Sequence, residues 1–308
     1  LKTEGKTVAM TGDGVNDILA LKRADCSIAM ASGADAARNV SHIVLMDSNF
    51  DTLPSVVAEG RRVINNLQRT SSLFLTKTAF AFTLTIYFLL ASLIMKDESV
   101  VYPFETNNMY LWEILTIGMS SFFLALEKNN EQLKGSFFKN IFKKAFPAAA
   151  VTIMPVIIIY IMFYLQKSGI MFTGVTPDIA ADGYTILNTS EAARAMSTLA
   201  FTLCSLVVLL KVCTPMSKYR KFVFGGAALV VLSALVSFGA GTYSAGWNKI
   251  GEVPIQDLDS LNFLKINFLS LSPLNYLEVI VIVIVVSTIY LVATNIVTKL
   301  KEIKNNEN

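Results

Sequence analysis

The chain has 308 residues, of which 53% are hydrophobic and 16% charged, with a formal net charge of +3. Such a composition excludes an ordinary soluble domain, and so small a charge gives no reason to expect a nucleic-acid partner. Membrane spans are the first expectation.

The chain opens on the charged stretch 1–6 with no cleavable signal and reads as beginning inside a domain. Residues 7–11 are an apolar run that predicts a buried strand, and residues 18–21 predict a helix, so Thr11-Gly12-Asp13-Gly14-Val15-Asn16-Asp17 is a strand-to-helix loop. In an open α/β sheet such loops lie at the carboxyl ends of the strands, where ligands bind. Gly12 and Gly14 allow a tight turn and close backbone approach, while Asp13, Asn16 and Asp17 offer the hard oxygens that Mg²⁺ prefers. Plain turns use the same residue types, and composition alone leaves that reading equally open.

Further strands are predicted at 26–30 and 43–45, with a helix at 35–39 whose entry at Ser32-Gly33 suits a helix N-terminus near phosphate. Residues 1–53 therefore read as the C-terminal part of an α/β, Rossmann-like domain. About 50 residues are too few to bury a doubly wound core, so the remaining strands are expected upstream. The cysteines Cys26, Cys204 and Cys213 have neither metal-binding nor disulfide spacing and read as small buried apolar residues. His42, the only histidine, reads as structural.

A helix is predicted over 54–72, with Pro54 in its first turn and Arg61, Arg62 and Arg69 keeping it out of the bilayer. It runs without a breaker into an apolar span at 73–95, and five more spans follow at about 108–126, 145–165, 192–213, 222–243 and 274–298. With the 11–17 loop on the inner side, eleven Lys and Arg after the first span fall inside, Arg220 among them, against four outside and Arg194 at a membrane edge. This positive-inside bias predicts a multi-pass protein of a plasma-type membrane, in contact with lipid, with both ends of the chain cytoplasmic. Tyr102, Tyr110, Trp112, Tyr164, Tyr243 and Trp247 fall at the predicted outer boundary, Glu127 and Glu278 at span ends, and Pro147 and Pro155 at positions able to kink the third span.

The run 11–17, followed by Ala20-Leu21-Lys22, Ile28-Ala29-Met30-Ala31-Ser32-Gly33, Asp47-Ser48-Asn49-Phe50, Glu59-Gly60-Arg61-Arg62 and Asn65-Asn66, resembles the hinge region of P-type ATPases. These are membrane pumps whose phosphorylation domain has the haloacid dehalogenase fold. The resemblance implies a cation pump, with bacterial Ca²⁺-type pumps the most similar class. It implies that Asp13 binds Mg²⁺, that Asn16 and Asp17 order the phosphate pocket, and that Thr11, Gly12 and Gly14 give close backbone approach to it. It further implies that an Asp-Lys-Thr-Gly-Thr signature, the ATP-binding domain, an actuator domain and four earlier helices belong to an upstream remainder of the same pump. None of these is found in the 308 residues, so this stretch alone is expected to be inactive.

Ionisable groups inside spans are costly and mark candidate function. Glu113 lies in a segment that resembles the sixth helix of Ca²⁺-type pumps, at an ion-ligating position, with Thr116 one helical turn on and Gly118 loosening the helix. Reticulum-type calcium pumps carry an amide where this chain has Lys77, a carboxylate where it has Phe80 and an aspartate where it has Ile117. The depleted ligand set leaves stoichiometry and ion open, with Mn²⁺, Mg²⁺ or a monovalent cation as alternatives to Ca²⁺. Lys77 is read either as an internal counter-ion that pairs with Glu113 or as a lysine snorkelling to the surface. A membrane scaffold retaining a phosphatase-like relic is the competitor from another class.

Overall fold

A computed structural model describes residues 1–96, 102–133, 135–167, 189–240, 271 and 273–306. The expected outer loops at 168–191 and 244–273, with Tyr243 and Trp247, lie almost wholly outside the described residues. The chain divides into two compact units, Leu1–Ile64 with Asn129–Leu133, and Asn65–Lys128 with Lys134–Asn308.

In the first unit three parallel strands, β1 (Ala9–Gly12), β2 (Cys26–Met30) and β3 (Ile43–Leu45), lie side by side in chain order. Helix α1 (Ile18–Arg23) links β1 to β2 and α2 (Asp35–Val40) links β2 to β3, as parallel pairing requires a crossover. Register runs Ala9 against Cys26 through Gly12 against Ala29, then Ile28 against Ile43 through Met30 against Leu45. The first strand starts later than the apolar run suggests. Val8 is taken out of the ladder because its N–H donates to Asp25 Oδ2 at 2.9 Å and its carbonyl accepts from Asp25 and Cys26. Leu21, Ile28, Ala29, Ala37 and Leu45 form the small core between sheet and helices. His42 accepts a hydrogen bond at Nδ1 from the Ser27 N–H at 3.0 Å and pins β2 to β3, which is the structural role expected of it.

Helix α3 (Leu53–Met95) is one uninterrupted helix of 43 residues, with Pro54 in its first turn, where a missing N–H leaves nothing unsatisfied. In the second unit the expected span at 108–126 is broken by a change of winding: α4 (Thr106–Tyr110), a π-helix over Leu111–Met119, then α5 (Ser120–Ala125). After it come α6 (Phe137–Lys167), α7 (Thr189–Val212), α8 (Lys218–Ala240) and α9 (Pro273–Asn306). Helix α6 continues through both Pro147 and Pro155. Among the described residues four stretches, Phe50–Met95, Phe137–Leu165, Ala192–Val212 and Leu274–Leu300, are long and apolar enough to cross a membrane. Six helical regions thus stand where six spans are expected; α8, basic through its first turn, and the broken α4–α5 region are not among those four.

Trp112 is expected at a membrane boundary but is buried, in edge contact with Phe80 at 4.7 Å and with Phe201 at 5.5 Å between ring centroids. Aromatic rings are large apolar surfaces first, and here three of them close on one another. Cys204 and Cys213 are fully buried and all three cysteines are free thiols; the half-buried Cys26 is the least enclosed.

Candidate functional site

The loop between β1 and α1 is organised by one carboxylate. Asp17 Oδ2 accepts from the backbone N–H of Asp13 at 3.2 Å and of Gly14 at 3.1 Å, which ties the loop to the start of the following helix. The Asp13 carbonyl in turn accepts from the Ala34 N–H at 2.7 Å, so this N–H at the entry of α2 is engaged with the loop. Both backbone polar groups of Asp13 are thereby held, while its carboxylate is exposed and makes no hydrogen bond or ion pair with the described residues. Asn16 is exposed as well, and Thr11 is half-buried at the end of the strand.

Two glycines make this packing possible. A Cβ at Gly12 would sit 2.6 Å from Asp17 Cβ, and one at Gly33 would sit 2.7 Å from the Asp13 carbonyl oxygen. At Gly14 the nearest atom would be 3.5 Å away, an ordinary contact, and its backbone has φ −102°, open to any residue. Gly12→Ala and Gly33→Ala should therefore each destabilise the first unit by about 1–3 kcal/mol, whereas Gly14→Ala should stay within about 1 kcal/mol. Thermal unfolding of the three variants checks the contrast. Sequence reasoning weighted Gly14 with Gly12 and missed Gly33 as a packing residue, because its neighbour Asp13 is twenty positions earlier in the chain.

A free carboxylate on a rigid loop at the carboxyl end of a parallel strand fits Mg²⁺, which is usually held by one or two carboxylates together with waters and substrate phosphate. Among the described residues no group of three or more His, Cys, Asp or Glu forms a fuller cage.

In the second unit Lys77 and Glu113 meet. Lys77 Nζ lies 2.8 Å from Glu113 Oε1, with side chains 40% and 24% exposed. Burial, and after it the charge of Glu113, push the Tyr102 phenol beside them up to about 12. Thr116 does not share this partner: it is buried and its Oγ1 accepts from Ser205 Oγ on α7 at 3.5 Å. The reason is the π-helix, whose wider i to i+5 turn no longer stacks residues three apart. Gly118 fits tightly over this turn, since a Cβ there would come within 3.2 Å of the Glu113 carbonyl. Phe80 and Ile117 are buried in apolar packing.

Glu127, expected at an interface, is instead buried between two arginines. Arg69 Nη1 donates to its Oε2 at 2.6 Å, and Arg220 Nε to its Oε1 and Oε2 at 2.8 Å. Ser217 Oγ donates to Oε1 at 3.1 Å. Burial pulls this carboxyl up, but the bonds from Arg220 and Arg69 outweigh it and hold it below the ordinary glutamate range. Arg220, counted from sequence as a loop charge, therefore has an internal partner.

A family model described as haloacid dehalogenase-like hydrolase matches residues 1–56. The chain is 43% identical over 167 residues to the calcium-transporting ATPase CtpE of Mycolicibacterium smegmatis, covering 53% of this chain and 21% of that protein. It is 37% identical over 160 residues to the probable cation-transporting ATPase exp7 of Streptococcus pneumoniae, covering 52% and 21%. A P-type sodium-transporting ATPase4 of Toxoplasma gondii is 53% identical over 70 residues, covering 22% and 5%. The chain thus spans about a fifth of the length of the first two of these relatives. Relatives named as calcium- or cation-transporting ATPases over half of this chain, and a hydrolase match that contains the Asp13 loop, make the chain similar to cation-transporting ATPases over that part of its length.

Proposed function

We propose that this chain is the C-terminal part of an ATP-driven cation pump, with Ca²⁺ as the transported ion. The observation that carries the reading is the Asp13 carboxylate, left free on a loop whose backbone is fixed from both sides by Asp17 and Ala34. Asp13 would hold Mg²⁺, and Asn16, exposed on the same loop, would help to order the phosphoryl group of ATP. When bound, Mg²⁺ supplies neutralisation of the charge on the transferring group. Asp17 keeps the loop in shape, and Gly12 and Gly33 let backbone and side chains close around it. The aspartate that accepts the phosphoryl group lies in the remainder of the pump, so residues 1–308 alone form no phosphoenzyme. The plasma membrane and cytoplasmic ends of the chain are part of the same reading, supported by the charge bias of the loops.

Glu113 ligates the transported cation, and Lys77 takes its place when the cation leaves. The 2.8 Å ion pair supports this, since a carboxylate inside a helix bundle needs a cation partner in each state. Thr116 is engaged with Ser205 on α7 and is left out of this ligand set. Ca²⁺ is favoured by the name of the Mycolicibacterium relative; the Toxoplasma relative named for sodium supports a monovalent cation as the second reading. The test is ATP-driven ⁴⁵Ca²⁺ uptake into inverted membrane vesicles carrying the full-length gene product. Uptake above that of empty vesicles is expected. ATP hydrolysis stimulated by Na⁺ and indifferent to Ca²⁺ would select the second reading.

A further inference from the structure

Two ion pairs join α3 to the broken helix that carries Glu113, at two heights. One is Lys77 with Glu113, whose side chains are 40% and 24% exposed. The other lies eight residues earlier on α3 and fourteen later on the partner segment: Arg69 with Glu127, whose side chains are 10% and 8% exposed. Along α3 the two levels are about 12 Å apart. The deeper pair is fixed from a third element as well, because Arg220 at the start of α8 donates to both oxygens of Glu127 while its Nη1 donates to the Pro215 carbonyl at 2.8 Å. Asn66, one turn before Arg69, donates to the carbonyls of Ala125 at 2.9 Å and Glu127 at 2.7 Å, capping the end of α5. Three chain segments are thus bonded at Glu127, and two of them carry Lys77 and Glu113.

We infer that Glu127 is a positioning residue: clasped by Arg69 and Arg220, it sets the axial register at which Lys77 reaches Glu113. The inference deepens the reading of Glu113 as a cation ligand and rests on it for its functional meaning. Arg220 shares its Nε–H between both oxygens of Glu127 while Arg69 donates from Nη1 to one of them, and such planar guanidinium donors fix direction as well as distance, whereas a lysine is a point charge on a flexible stem. The half-exposed lysine pair is the exchangeable contact and the buried arginine pair the fixed one. Losing the clasp lets α3 slide or turn against α5, and the Lys77 to Glu113 contact weakens without either residue being changed.

The experiment is a double-mutant cycle of thermal stability for Lys77→Met and Glu113→Gln in the full-length gene product, run with Glu127 intact and again in Glu127→Gln. With Glu127 present the two substitutions should be non-additive by about 1 °C in Tm, resolvable with replicate scans. In Glu127→Gln that coupling should fall to within error, and in Glu127→Asp, which keeps the charge, it should largely return. Should Glu127→Gln prove too unstable to purify, Arg69→Lys serves as the background, since it keeps the charge and loses the directed Nη1 bond of the planar guanidinium; the coupling should then fall by at least half. Coupling of unchanged size in either background overturns the inference. Its failure is separable from failure of the cation site, which is read from the ion dependence of ATP hydrolysis in Glu113→Gln alone.

Discussion

Asp13→Ala should lower phosphoenzyme formation from [γ-³²P]ATP in the full-length gene product by roughly a hundredfold or more, the scale on which enzymes lose rate with a main charge-stabilising group. Folding should be left intact. The Asp13 side chain is exposed and makes no bond with the described residues, while the two bonds that fix the loop at this position belong to its backbone and survive the change. Asp17→Ala gives the informative contrast. It removes the acceptor for two N–H groups and should reduce local stability, by about 1 kcal/mol, together with phosphorylation. Amide exchange at Asp13 and Gly14 separates the two cases, protected in the first variant and faster in the second. Normal phosphoenzyme levels in Asp13→Ala would remove the metal-binding role.

Glu113→Gln should raise the half-saturating Ca²⁺ concentration of ATP hydrolysis about tenfold or more, because a formal negative charge is a large part of what replaces the hydration of a divalent ion. Lys77→Met should shift it the other way. The lysine competes for the same carboxylate at 2.8 Å, so its removal favours the cation and slows the step in which the empty site returns. The two effects oppose in affinity but agree in reduced turnover, a pattern that general damage to the bundle does not give. Their stabilities should be coupled by about 1 kcal/mol, since Glu113→Gln leaves a lysine without its partner and Lys77→Met relieves that. Unchanged ion dependence in Glu113→Gln would exclude this residue from the site.

The α/β half was legible because its signals are local. Turn glycines, β-branched runs and a crossover helix occupy consecutive positions, and β2 and β3 fall where the apolar pattern puts them. What escaped was set by distant partners: Asp25 removing Val8 from β1, and Asp13 demanding a glycine at position 33. In the helical half, span positions follow from apolar runs, yet the burial of Glu127 does not. Its partners Arg69 and Arg220 are 58 and 93 residues away, and each reads by itself as an ordinary charge near a helix end. The Lys77 to Glu113 contact was one of two alternatives in the sequence, since a lysine stem can reach inward or outward from the same backbone position. The winding of residues 111–119 left only the trace of Gly118, as π-helix and α-helix share the same apolar pattern over so few residues.

That π-helical segment has a consequence in angular terms. An α-helix advances about 100° per residue, so taking up or releasing a single residue from the wide turn rotates everything on one side of it by about that angle relative to the other. Glu113 lies near the start of the segment and Ser120 just beyond its end, where Ser120 Oγ donates to the Leu115 carbonyl at 3.1 Å. Rewinding as α-helix would therefore swing the carboxylate through more than a quarter of a circle while the bonds at Ala125 and Glu127 stay in place. A break of this kind works as an escapement, letting one group turn in a discrete step on a shaft whose far end is held.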